Sequence, residues 1–386
     1  MLPVALLLAI SLTQSADLPT GQVVASVRAA ANPSQSYALY LPKGYSPARA
    51  WPLILAFDPG GRGQTAVERY QAAAEQYGFV VAGSNNSRNY SRDNDTAVTS
   101  MANDVLTRFR IDERRVYTAG MSGGARVAMG TALASTGIAG VMASSAGFPD
   151  GMPRASVPFA IFATAGTEDF NHLEMRRVDA KLTSPHRLVI FEGGHVWLSS
   201  ELAVEAVEWM EVQAMKDGRK PRDSAELNAI FSKRQTAVQA ITNPKDELVA
   251  LRSMVADFTG LANVSAAETR IATLERNPDV VNALRDDALS DNHETDVLLR
   301  LKGLEAQLAD SREHAQALIE LRAQWQSLSE AANASEPSSA RQLARRVLGL
   351  LGSTITTKDA GYLQIISEYR YGRGGGPARG GAPAAP

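Results

Sequence analysis

The sequence predicts an α/β chain in which a mostly parallel sheet flanked by helices is followed by an all-α C-terminal region. Three observations predict it. Short, β-rich apolar runs alternate with helical patterns from about residue 21 to 215. A helical segment stands between nearly every pair of those runs, as parallel crossovers require. After about Lys216 the texture turns to Ala, Leu, Glu and Arg with no strand-like run.

Residues 22–27 and 36–41 read as two entry strands, the second closed by Pro42-Lys43-Gly44-Tyr45. The run 53–57 reads as a buried strand stopped by Asp58-Pro59-Gly60-Gly61, with a helix over 66–77 ended by Gly78. A strand at 79–82 leads into the polar loop from Gly83 to Arg88; a helix at 96–109 and a strand at 115–119 follow. A helix starts at Ser122, strands occupy 138–143 and 158–165, a helix 173–182, a strand 187–191 and a closing helix 201–215. Asp217-Gly218-Arg219-Lys220-Pro221 marks a boundary, placing the first domain at 17–216 and the helical region at 222–370. Leu301, Leu304, Leu308, Ala315 and Leu318 approach a heptad seam, but Ser311 and Arg322 interrupt it, so helices packed as hairpins are expected. The tail 371–386 is rich in Gly, Pro and Ala and is expected to be disordered.

The 386 residues are 45% apolar, enough for a large core, and the net charge of −2 gives no basic footprint for nucleic acid. No cysteine is present, which excludes thiol nucleophiles, disulfides and cysteine-held metals. Residues 2–12 are almost wholly apolar, too short to span a bilayer, and lead into Thr13, Gln14, Ser15 and Ala16. A signal peptide at 1–16 and a periplasmic or secreted protein are expected, although no basic residue precedes the apolar run. No later segment reads as membrane-spanning.

The motif that carries chemistry is Gly120-Met121-Ser122-Gly123-Gly124, between a predicted strand and a predicted helix. A serine on such a turn takes a strained backbone that lifts its hydroxyl above the sheet edge, and crowding in the turn calls for glycine on both sides. A nucleophilic serine needs a base, and the base an orienting acid, in the order Ser, acid, His at later strand ends. Strand 158–165 ends in Gly166-Thr167-Glu168-Asp169, and strand 187–191 ends in Glu192-Gly193-Gly194-His195. His195 is therefore the predicted base. His293 and His314 lie in the helical region, His186 precedes its strand, and His172 is too near the acid. Asp169 is the predicted acid, with Glu168 as its rival.

Two backbone donors should hold the oxyanion: the Gly123 amide and one from Gly61 or Arg62 in the Gly-rich loop after strand 53–57. Asn85, Asn86 and Arg88 follow a strand end where they could meet substrate, against the alternative of a solvated loop. Trp197 either lines the substrate pocket or packs the closing helix. Strands and helices fill the gaps between Ser122, Asp169 and His195, leaving no room for an inserted lid domain; bulky or polymeric esters suit such a site.

The segments Tyr37-Ala38-Leu39-Tyr40-Leu41-Pro42, Phe57-Asp58-Pro59-Gly60-Gly61-Arg62, Gly120-Met121-Ser122-Gly123-Gly124-Ala125 and Gly193-Gly194-His195 resemble those of exported bacterial α/β-hydrolases. These are grouped with poly(3-hydroxybutyrate) depolymerases, feruloyl esterases and acetyl xylan esterases. The resemblance covers about residues 35–212, and many members of the group carry disulfides that this chain cannot form. It implies an α/β-hydrolase fold, a triad of Ser122, Asp169 and His195, and hydrolysis of a carboxylic ester with neither cofactor nor metal. The implied partner is an ester derived from plant cell wall or polyester, and the C-terminal helices are a candidate protein-contact surface. A serine peptidase or amidase on the same fold is the first alternative. A vestigial hydrolase serving as a scaffold through its helices is the second.

Overall fold

The computed structural model describes residues 18–369. The expected leader at 1–16 and tail at 371–386 lie outside the described residues. In chain order the first part runs β1 (Val23–Arg28), β2 (Ser36–Tyr40), β3 (Trp51–Phe57), α1 (Gly63–Tyr77), β4 (Val80–Ser84), α2 (Asn94–Arg108) and β5 (Ile111–Met121). It continues with α3 (Gly123–Ala134), β6 (Ile138–Ser144), β7 (Ala160–Gly166), α4 (His172–Lys181), β8 (His186–Phe191) and α5 (Ser200–Lys216).

The eight strands form one sheet in the order β1-β2-β4-β3-β5-β6-β7-β8. β1 pairs antiparallel with β2 and β2 with β4, and from β4 through β7 all neighbours run parallel. The central strands β3, β6 and β7 are buried along their whole length, as their unbroken apolar runs require of a sheet covered on both faces. This strand order, with helices on every parallel connection except that from β6 to β7, is the α/β-hydrolase fold. Register matters for the site: Phe57 stands opposite Gly120, and Met121 opposite Ser144. Asp58, Ser122 and Ser145 therefore leave the sheet together at its carboxyl edge, where ligands of open α/β sheets bind.

The chain divides into two compact units. The first holds the chain to Thr164, Glu174–Val189 and Val196–Ile271. Its core joins Ile54, Tyr70, Tyr117, Phe162, Trp197 and Trp209, all nearly inaccessible to solvent. Two C-terminal helices, α6 (Ser224–Gln239) and α7 (Pro244–Phe258), belong to it. The side chain of Asp223 caps α6, and that of Asn243, followed by Pro244 in the first turn, caps α7. The Trp209 indole donates to Asp257 at 2.6 Å and so ties α5 to α7.

The second unit holds Ala165–Leu173, Ile190–His195 and the chain from Ala272. After α8 (Ser265–Leu274), which crosses the division, come α9 (Pro278–Gln307), α10 (His314–Ala332), α11 (Ser339–Ser353) and α12 (Ala360–Tyr369). Leu301, Leu304, Leu321, Trp325, Val347 and Ile365 make its core. Leu308 and Leu318 pack against that core, so the seam read from the sequence belongs to a helical hairpin closed by the turn between α9 and α10. Asn277 caps α9 ahead of Pro278, and Ser338 caps α11. Among the described residues no helix is long and apolar enough to cross a membrane.

Trp325 is 2% exposed at the centre of the second core. Trp325→Ala should cost about 3–5 kcal/mol, read as loss of far-UV helical signal at lower urea than in the parent.

Candidate active site

Ser122 sits between β5 and α3 with φ 54° and ψ −123°, a backbone conformation that only tertiary packing maintains in a non-glycine residue. Its amide donates to the Ser144 carbonyl at 2.8 Å, and its carbonyl accepts from Ala125 at 2.9 Å and Arg126 at 3.1 Å. Close approach explains the flanking glycines. A Cβ on Gly124 would fall on the Phe57 carbonyl oxygen, and one on Gly120 on the Gly124 carbonyl oxygen. The first turn of α3 is thus pressed onto the ends of β3 and β5, with Ser122 at the apex. Gly123 is the first residue of α3, so its amide has no intrahelical acceptor.

The loop after β3 is shaped by one buried acid. Asp58 has no solvent exposure and accepts from the Gly60 amide at 2.8 Å, Arg62 Nε at 2.8 Å, Arg62 Nη2 at 3.1 Å and Trp197 Nε1 at 2.9 Å. The carboxylate holds the Arg62 guanidinium above its ordinary pKa. The Gly61 amide donates to the Asp58 carbonyl at 3.0 Å, closing a turn in which Gly61 takes φ 71°. Of the two sequence candidates for the second oxyanion donor, Gly61 is therefore already engaged. A bridge between Gly60 and Arg88, and an Asn89 amide donating to Pro59 at 2.8 Å, stitch this loop to the one after β4.

In the second unit, His195 Nδ1 lies 2.8 Å from Asp169 Oδ1. Asp169 is fully buried, and the same oxygen accepts from the Asn171 amide at 2.8 Å. Its Oδ2 is buried without a hydrogen-bond partner. An acid bonded to Nδ1 in this way fixes the orientation of the imidazole ring. Phe170 stacks on the other side, its ring 3.8 Å from the imidazole, centroid to centroid, at 25°. Glu168 faces away from this pair and is ion-paired to Arg345 at 2.6 Å and Arg341 at 3.2 Å.

Three of the four remaining histidines have other partners. His172 is buried with Nδ1 3.0 Å from the Gly166 carbonyl, His186 Nδ1 is 2.8 Å from the Ser184 carbonyl, and His314 pairs with Asp359 at 2.6 Å. Asn85, Asn86 and Trp197, read from the sequence as candidate substrate contacts, have structural partners. Asn85 Nδ2 donates to the Ala25 carbonyl at 3.1 Å and Ser36 Oγ at 3.2 Å, and Asn86 Oδ1 accepts from the Ser36 amide at 2.8 Å. Both side chains fasten β2 to the loop. Trp197 is a core residue, 8% exposed, edge-on to Tyr70 and bonded to Asp58. The residue that does reach the elbow is Asn89: its carboxamide oxygen occupies the place of a Gly123 Cβ. Nothing in the run of polar residues from Asn85 to Tyr90 singles it out, because only the turn of the loop decides which carboxamide faces the serine. No group of three or more His, Asp or Glu side chains among the described residues is placed to hold a metal ion.

No protein-family model matches the sequence, and no curated protein matches it. Solved structures with some likeness include a thermostable esterase at 18% identity and TM-score 0.37, covering 49% of this chain and 62% of its own. Esterase 2 from the planctomycete Thermogutta terrifontis, with butyrate bound, is 16% identical at TM-score 0.38 and covers 54% of this chain and 98% of its own. A hyperthermophilic esterase from the archaeon Pyrobaculum calidifontis is 12% identical at TM-score 0.39 and covers 51% of this chain and 87% of its own. The chain thus spans less than two thirds of the first of these structures. The fold assignment rests on strand order and connectivity.

Asp58→Ala leaves Trp197 Nε1 and the Gly60 amide without their acceptor, each loss costing about 1–3 kcal/mol. Thermal unfolding should shift down accordingly, while Asp58→Asn, which retains one acceptor oxygen, should lose less.

Proposed function

We propose that the chain is a serine hydrolase that cleaves carboxylic esters through an acyl-enzyme on Ser122. The observation that carries the reading is the strained Ser122 backbone at a strand-to-helix turn, followed by the first-turn amide of Gly123. Strain of this kind is retained where a side chain must be presented rather than packed. The Asp169–His195 pair, at 2.8 Å on the loops after β7 and β8, supplies the base that a serine nucleophile needs.

In the proposed reaction His195 takes the Ser122 proton through Nε2 while Asp169 holds Nδ1–H and balances the imidazolium charge. Ser122 Oγ adds to the ester carbonyl, and the Gly123 and Arg62 amides donate to the oxyanion. Collapse of the tetrahedral intermediate expels the alcohol, which takes the proton from His195. Water, activated by the same imidazole, then releases the acid and restores Ser122. Bulky or polymer-linked esters are the proposed substrates, because the described connections after β5, β6 and β7 carry no inserted lid domain. The apolar leader of the sequence supports export to the periplasm or beyond as part of this proposal.

Ser122→Ala and His195→Ala should each lower kcat on a p-nitrophenyl ester by about 10⁴-fold or more. A matched anilide should turn over far more slowly than the ester. Wild-type turnover in Ser122→Ala would remove the proposal, and faster anilide cleavage would convert it into that of an amidase.

A further inference from the structure

From the packing within the second unit, we infer that helix α11 is a positioning element for the Asp169–His195 pair. The inference rests on the triad reading above and assigns a task to the C-terminal helices that the reading does not use. Arg345, Arg346 and Gly349 of α11 each meet one residue of the loop that carries Asp169.

Arg346 is the central contact. Its side chain is 7% exposed and lies on the 2%-exposed Glu294 of α9, with Nε at 2.8 Å and Nη2 at 2.7 Å from the same carboxylate oxygen. The remaining arm, Nη1, donates at 2.7 Å to the backbone carbonyl of Thr167, two residues before the acid. Glu294 fixes the guanidinium, and the guanidinium fixes the loop. Burying such a pair brings little net stability, since an apolar pair of equal volume often serves as well or better. What it supplies is direction, because the planar fork holds two acceptors at set angles.

The neighbouring contacts act on the next residues. Arg345 Nη1 donates to Glu168 at 2.6 Å while its Nε donates to the Ala332 carbonyl at 2.9 Å, and Arg341 pairs with Glu168 at 3.2 Å. At Gly349 the helix backbone comes so close that an added Cβ would stand 3.1 Å from Phe170 Cβ. Phe170 in turn is the ring stacked on His195. Thr167, Glu168 and Phe170 are thus held from α11, while Asp169 is left to face the imidazole alone. Displacing a catalytic group by about 1 Å can cost about a hundredfold in rate. Arg346, Arg345 and Gly349 are positioning residues, since none touches the reacting atoms.

The test uses the full chain with Arg346→Gln, Arg346→Lys and Gly349→Ala, and Arg312→Gln as control. Arg312 is 87% exposed in the same unit, and its bonds are to Asp310 in its own turn. Three quantities are read: kcat and KM on a p-nitrophenyl ester, the low-field proton resonance of the His195–Asp169 hydrogen bond, and thermal unfolding. Arg346→Gln should lower kcat by about 10- to 100-fold with KM nearly unchanged, and should shift or broaden the low-field resonance. Arg346→Lys, which keeps a cation on Glu294, should recover part of both. Gly349→Ala, a favourable change for a helix, should lower kcat through Phe170 without lowering the unfolding temperature. Arg312→Gln should match the parent throughout.

Parent-like kcat and low-field resonance in both Arg346→Gln and Gly349→Ala would overturn the inference. So would a fall in kcat that only tracks the unfolding temperature. If Arg346→Gln does not fold, Gly349→Ala decides. If the parent hydrolyses no ester, the triad reading fails by itself, and the response of the low-field resonance still decides whether α11 positions the pair.

Discussion

Ser122 holds a left-handed backbone because the first turn of α3 is pressed against the ends of β3 and β5. The contact is backbone on backbone, at the Phe57 and Gly124 carbonyls, and any side chain on Gly120 or Gly124 would separate the layers. The parallel sheet supplies the force, since β3, β6 and the second half of β5 are buried, and α3 has its apolar face on them. Strain of about 1–3 kcal/mol at one residue is small against such a core. The result is a serine at the apex of the turn, directly ahead of the first amide of α3.

Two buried acids at strand ends do different work through their surroundings. Asp58 accepts four hydrogen bonds and serves as the knot of its loop, drawing Gly60, Arg62 and Trp197 together. Asp169 accepts through one oxygen only and leaves the other bare against the protein interior. Asp58 is thus a fully paired structural anchor, whereas Asp169 is partly paired and its one bonded oxygen is turned to the imidazole. The same logic accounts for Glu168, whose carboxylate is neutralised by two arginines of α11.

Much of this is legible in the amino-acid order. Unbroken apolar runs such as 53–57 and 138–143 mark strands buried on both faces, and Gly-x-Ser-x-Gly between a strand and a helix marks the elbow. The strand ends at Asp169 and His195 follow from the same alternation. Side-chain partners across the sheet are another matter. Asn85, Asn86 and Asn89 are alike as sequence, yet two fasten β2 and one reaches the elbow, because loop curvature sorts them. Trp197 reads from the sequence as either a pocket or a packing residue, and its bond to Asp58, 139 positions away, is invisible there. Arg345 and Arg346 read as ordinary polar residues of an amphipathic helix; only the tertiary fold brings the loop of Asp169 to them.

A nucleophilic Ser122 can be captured covalently. Treatment of the intact protein with a fluorophosphonate, followed by peptide mass spectrometry, should place one phosphonyl adduct on Ser122. The adduct should be absent after replacement of His195. An unlabelled protein, or an adduct on a different residue, would contradict the account.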